Sequence, residues 1–174
     1  MKTIPILQII VAILFIALFA QLSIAVPIGE SDIPITGQTF AVLLSAYWLK
    51  QKWGTIAVSV YVLLGALGLP IFADAKAGLD VLTGGSGGFL IGFIVAAYVM
   101  GYLGKKDWQA SLTKSIVAMT VGTIIILLFG VGRLTMLYDI DRGLAYGFYP
   151  FWKGAIIKVL LGAVVLPLYH RLHT

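Results

Sequence analysis

Residues 82–93 read LTGGSGGFLIGF. Gly84, Gly85, Gly87 and Gly88 stand at the mouth of an apolar run, and a glycine-rich turn ahead of a helix is one way to cradle phosphate. This one lacks the Gly-Lys-Ser/Thr ending of a P-loop. The run beyond the glycines decides the fold: between Asp80 and Lys105 no charged residue occurs, which is room for the roughly 20 apolar residues that cross a bilayer as a helix. The glycines therefore open a membrane span. There they let another helix or a ligand lie against the backbone, and Gly88 with Gly92 makes a small-xxx-small pair.

The same pattern continues in both directions along the chain. Charges are absent between Lys2 and Glu30, Asp32 and Lys50, Lys52 and Asp74, and Lys114 and Arg133, and a last apolar stretch after Lys153 contains only Lys158. With 60% hydrophobic and 11% charged residues and a mean hydropathy of +1.04, against roughly a quarter charged in soluble domains, the chain reads as an integral membrane protein. Six spans are expected, at about 4–26, 34–49, 53–73, 81–104, 115–132 and 154–169, in a single all-α domain over residues 1–174. Continuous apolarity excludes a barrel, whose segments alternate and are about ten residues long. The second and sixth spans are short, which calls for tilt or local thinning.

Lysine and arginine placement sets the orientation. One side collects Lys2, Lys50, Lys52, Lys105, Lys106, Lys114 and Arg171 against Asp107. The other collects Glu30, Asp32, Asp74, Asp80, Asp139 and Asp141, with Lys76, Arg133, Arg142 and Lys153. The positive-inside rule then puts both termini in the cytoplasm of a multi-pass cell-membrane protein. The net charge of +5 is accounted for by that asymmetry and gives no argument for nucleic acid. A cleavable signal ending in Ser23–Ala25 is the competing reading of the start, but the run from Ile4 to Leu22 exceeds an h-region of about 7–15 residues.

Little suggests an enzyme. His170 and His173 follow the last span, no carboxylate lies inside a span, and without cysteine there is no thiolate metal site. Lys158 is the anomaly. A charge within a span normally faces a cavity or a partner. The alternative is snorkelling, because Lys158 is four residues after Gly154, about 6 Å of helix rise.

Three blocks carry a resemblance: IPITGQTFAVLLSAYWL at 33–49, VLLGALGLPIFADAKAGLDVLTGGSGGFLIGF at 62–93, and GFYPFWKGAIIK at 147–158. In them the chain resembles the BioY family, the biotin-specific substrate-binding (S) components of energy-coupling factor (ECF) transporters. The resemblance implies a six-helix subunit that captures biotin near the outer surface and needs no cofactor. Import is then driven by an energy-coupling module of two cytoplasmic ATPases and a transmembrane T subunit. A related carboxylate vitamin or a biotin precursor is the alternative ligand, and a structural or channel role the alternative class.

Biotin calls for an apolar pocket with a few fixed polar groups. Lys158 matches the family's lysine in the last helix and is expected to meet the carboxylate. Phe89, Tyr149 and Phe151 are candidate ring contacts, or else interfacial aromatics like Trp152. Thr36 and Gln38 offer a hydroxyl and an amide at the first loop, Thr36 alternatively as a helix cap. Asp80 is a candidate acceptor for the ureido N–H groups, or an exposed loop carboxylate. Gly87 and Gly88 either touch ligand or only shape the turn. Two departures stand out: KGAIIK at 153–158 has Ala155 where the family commonly has aspartate, and Arg133 replaces an aromatic residue, as a second cation for the carboxylate or as an interfacial anchor. In the first span Ala17, Ala20 and Ser23 stand in for the paired alanines of the family's coupling face.

Overall fold

The computed structural model describes the backbone of residues 5–28 and 31–173. Lys2 and Glu30 lie outside the described residues, as do the side chains of Asp32, His170 and His173. Among the described residues the chain is helical except for one hairpin and short connections.

Helix α1 (Pro5–Gln21) stops short of the expected end of the first span at residue 26. Strands β1 (Ser23–Ile28) and β2 (Ser31–Thr36) follow as an antiparallel hairpin, from Ser23 opposite Thr36 to Ile28 opposite Ser31. Apolarity alone does not tell these segments from helix. Pro27 and Pro34 remove amide donors, and each disfavours helix for the residue before it, while the β-branched neighbours suit a strand. The inward stripe of α1 is Ala12, Ile16 and Ala20, all buried. The expected small-residue coupling face is therefore corrected: Ala20 packs inside the chain and Ser23 belongs to the hairpin, where its hydroxyl donates to Asp74 Oδ1 at 3.0 Å.

Helix α2 (Gln38–Ala66) is broken at Lys50, whose φ of 63° and ψ of 178° are not helical. In a straight helix residues 46 and 54 would stand about 12 Å apart along the axis. Here a Cβ on Gly54 would lie 2.6 Å from the Ala46 carbonyl oxygen. The two arms, 38–49 and 51–66, thus double back on one another, where spans at 34–49 and 53–73 were expected. The second arm ends at Ala66 instead of 73, because Gly68 takes φ 107° and Pro70 follows. Phe72 then folds back so closely over Gly65 that a Cβ there would lie 2.3 Å from the ring's Cζ.

After a 3₁₀ turn at Ala73–Ala75 and the short helix α3 (Leu79–Thr83), helix α4 spans Gly87–Lys105. The expected span from residue 81 is therefore split by the glycine turn. Helix α5 (Leu112–Leu137) runs past Arg133, which the charge boundary at 132 had excluded from the helix. Helices α6 (Ile140–Gly147) and α7 (Trp152–His173) complete the chain. Asp139 caps α6, its Oδ1 accepting from Arg142 N–H at 2.7 Å. By length and composition Gly87–Lys105 and Leu112–Leu137 are able to cross a membrane, and Ile140–Gly147 with Trp152–Leu168, bent by 45°, pass that test as a pair.

The core lies where α1, both arms of α2, α4 and α5 meet, around Ile16, Leu43, Tyr61, Met100, Met119 and Ile126. Alanines 41, 46, 57, 96, 97 and 118 are fully buried. Small residues at these seams let the helices approach closely, which is how helices in lipid gain packing energy without a hydrophobic drive. Chain direction sorts the two ends. Loops after α1, after the second arm of α2, before α4, after α5 and before α7 gather at one end, and the Lys50 turn and the α4–α5 connection at the other.

Candidate functional site

A cavity of about 310 Å³ opens among the loops at the first of these ends, at the lower limit of the range of about 300–1,000 Å³ usual for small-molecule sites. It is framed by the end of β2 and start of α2 (Thr36, Gln38, Thr39), the 3₁₀ turn and its flanks (Phe72, Ala73, Lys76), the start of α4 with the turn before it (Gly85, Ser86, Phe89, Leu90, Phe93) and the far end of α5 with α6 (Leu134, Tyr138, Tyr146). The lining is mostly apolar and aromatic, with hydroxyls, one amide and one ammonium at its edge. Among the described residues, no Asp or Glu lines the cavity.

Gln38 is buried, at 5% exposure, and its Nε2 donates to Tyr61 Oη at 2.7 Å. Tyr61 in turn donates to the Ile71 carbonyl at 2.7 Å. Thr36 Oγ1 accepts from Gln38 N–H at 3.3 Å, so the hydroxyl serves the helix start while the residue also borders the cavity. The N-cap of α2 is Gly37, with no side-chain cap bond, so Thr36 is not the helix cap.

Lys158 turns inward from α7 instead of snorkelling. Its Nζ donates to the Thr36 carbonyl at 2.5 Å and to Thr39 Oγ1 at 3.0 Å. Its ammonium borders a second, smaller cavity of about 30 Å³, room for water but not for a ring system. Thr39, Phe89 and Phe151 belong to the walls of both cavities. The rings of Phe89 and Phe151, with centroids 5.4 Å apart and planes tilted by 45°, form part of the wall that the two cavities share.

The remaining expected residues fall elsewhere. The Arg133 guanidinium donates to the carbonyls of Thr83 and Gly84, to Gly84 from Nε at 3.5 Å, and ties α5 to the end of α3. Gly87 is buried against the Leu82 carbonyl, and Gly88 against Phe129 and Arg133 of α5, so tightly that neither site has space for a Cβ. The cavity wall carries Gly85 and Ser86 of the same stretch. Asp80 is exposed on α3, and Tyr149 is exposed beside Phe148, its ring 5.9 Å away; neither lines the cavity. Trp152 is exposed with Lys153 Nζ 5.5 Å from its ring. Ala155 lines the smaller cavity.

Sequence reading missed Lys76, Tyr138 and Tyr146. Lys76 pairs with Asp74 at 3.7 Å on the rim, and the two tyrosine rings meet edge to face at 6.2 Å. Their signal was present, since charges and aromatics in a connecting loop are what a binding mouth uses. Nothing in one sequence brought the α5–α6 corner against the start of α4.

The scaffold has known counterparts. Its fold is shared with the structure described as the S-component for biotin from an ECF-type ABC transporter, solved at 2.1 Å. That match has a TM-score of 0.82 over 96% of this chain and 90% of that one, at 23% sequence identity. The chain is 43% identical over 143 residues to the biotin transporter BioY of Thermotoga maritima, covering 82% of each chain. It is 36% identical over 148 residues to biotin transporter BioY2 of Lactococcus lactis, covering 83% of this chain and 80% of that one. The BioY family profile matches residues 1–174, and the chain belongs to the BioY family.

Proposed function

We propose that the chain is the biotin-capturing subunit of a vitamin uptake transporter and performs no catalysis itself. The observation that carries this is the largely apolar cavity of about 310 Å³ with a few fixed polar groups, on a scaffold whose relatives are biotin transporters. Biotin's bicyclic ring fits an apolar and aromatic lining, while its carboxylate needs a cation. Lys158 supplies that cation from the smaller adjoining cavity, which shares Thr39, Phe89 and Phe151 with the larger one, and Thr36, Gln38, Phe89 and Phe151 surround the ligand. Arg133, Gly87 and Gly88 hold the start of α4 in place, and Asp80 and Tyr149 stand outside the cavity as secondary positions.

The membrane arrangement belongs to the same reading. Residues 1–174 form one domain, and α1, the two arms of α2, α4, α5 and α7 each cross the cell membrane, with both termini cytoplasmic. The lysines support this, because Lys50, Lys52, Lys105 and Lys106 gather at the end opposite the cavity, where Lys105 Nζ donates to Gln51 Oε1 at 2.9 Å. Biotin then enters from outside. Energy comes from a separate ECF module with two cytoplasmic ATPases and a transmembrane T subunit, and the binding subunit carries no cofactor.

Titration of the purified protein with biotin, dethiobiotin and other carboxylate vitamins tests the reading. Biotin at about 100 times its dissociation constant should stabilise the fold by about 2.7 kcal/mol, seen as a raised unfolding temperature. No stabilisation and no binding by biotin would overturn it, and preference for another of these ligands would replace biotin with that ligand.

A further inference from the structure

The chain of hydrogen bonds from Gln38 through Tyr61 to Ile71 has a fixed direction. A carbonyl only accepts, so the 2.7 Å contact between Tyr61 and the Ile71 oxygen uses the phenol proton. Tyr61 Oη is left with lone pairs alone for its other neighbour. The 2.7 Å contact to Gln38 must therefore present Nε2. A glutamine amide carries its donors on one prong and its acceptor on the other, so fixing one fixes both. Oε1 is the prong turned away from Tyr61, and among the described residues no group donates to it. Gln38 lines the cavity, and among the described residues no carboxylate does.

We propose that Tyr61 is a positioning residue for ligand recognition: it sets the polarity of the Gln38 amide so that the cavity meets an N–H donor of the ligand's cyclic urea with a carbonyl acceptor. The proposal rests on the biotin reading above. It makes the amide a selector, because a ligand without that N–H leaves Oε1 buried and unpaired. Without the Tyr61 hydroxyl nothing fixes the amide, and the reversed prong offers a donor where the ligand also has one.

The test compares biotin with derivatives methylated on either ureido nitrogen, in the wild-type protein, Tyr61→Phe and Gln38→Leu. Tyr61→Phe keeps the ring edge to face with Phe72 at 5.7 Å and removes only the hydroxyl. Wild-type protein should prefer biotin to one of the methyl derivatives by about tenfold or more, as sites built to hydrogen-bond a group reject analogues lacking it. Both variants should lose most of that preference. A packing defect alone would weaken both ligands in parallel and leave their ratio unchanged. If Tyr61→Phe does not fold, the ratio in Gln38→Leu carries the test. A preference that persists in the variants, or that the wild type lacks while binding biotin, overturns the proposal. Failure of the wild type to bind biotin at all overturns the functional reading first.

Discussion

An ammonium has three donors, and Lys158 uses two of them on Thr36 and Thr39. One remains for a carboxylate, which would also end the isolation of the charge within the helix bundle. Replacing Lys158 with alanine should cost about 2–5 kcal/mol of biotin affinity, as truncating one partner of a desolvated charge pair does. It should also erase the preference for biotin over biotinamide, which lacks the anion. Arg133→Ala should leave that preference intact, because its guanidinium serves the Thr83 and Gly84 carbonyls; calorimetric titration with the two ligands separates the cases. At this scale the sequence was legible where chemistry is rare. One lysine in a span stands out, and so does a glutamine after Pro34. Arg133 was not legible, because a cation near a helix end reads the same whether it faces lipid headgroups, a ligand or a neighbouring loop.

Among the elements, the second arm of α2 and the turn after it act as one piece. Phe72 occupies the space left by Gly65, and Tyr61 holds the Ile71 carbonyl. From the other side, Gln21 Nε2 donates to the Phe72 carbonyl at 3.0 Å, and its Oε1 accepts from Ala75 N–H at 3.0 Å. Gly65→Val would drive a branched side chain into the Phe72 ring. It should destabilise the protein by about 1–3 kcal/mol, measurable as a lower unfolding temperature, and should weaken biotin binding by displacing Phe72 from the cavity wall. Charge spacing located the long apolar helices α4 and α5 because lipid excludes charge. It could not locate the hairpin at 23–36, since lipid-like apolarity and strand-like apolarity are the same composition in a short segment. Nor could it find α6, which is short and polar, or the end of α5, where Arg133 sits within the helix.

For the molecule as a whole, the chain's lack of cysteine makes orientation directly measurable. Cysteine introduced at Asp80 should react with a membrane-impermeant maleimide on intact cells, and cysteine at Lys106 should react only after lysis. The opposite pattern would invert the proposed arrangement. The helix bundle with its loops segregated to two ends was foreseeable from alternating charge-free runs, whereas the cavity was not, because it is assembled from five segments distant in sequence. The way those segments are fastened also bears on binding. The roof made by residues 72–76 is anchored to α1 and α2 by the contacts of Gln21, Tyr61 and Gly65. Across the opening, the rings of Tyr138 and Tyr146 meet edge to face, and Tyr138 is 55% exposed. The Phe72 side of the mouth is therefore set in place before any ligand arrives, and the ordering it would otherwise need on binding has already been met in folding.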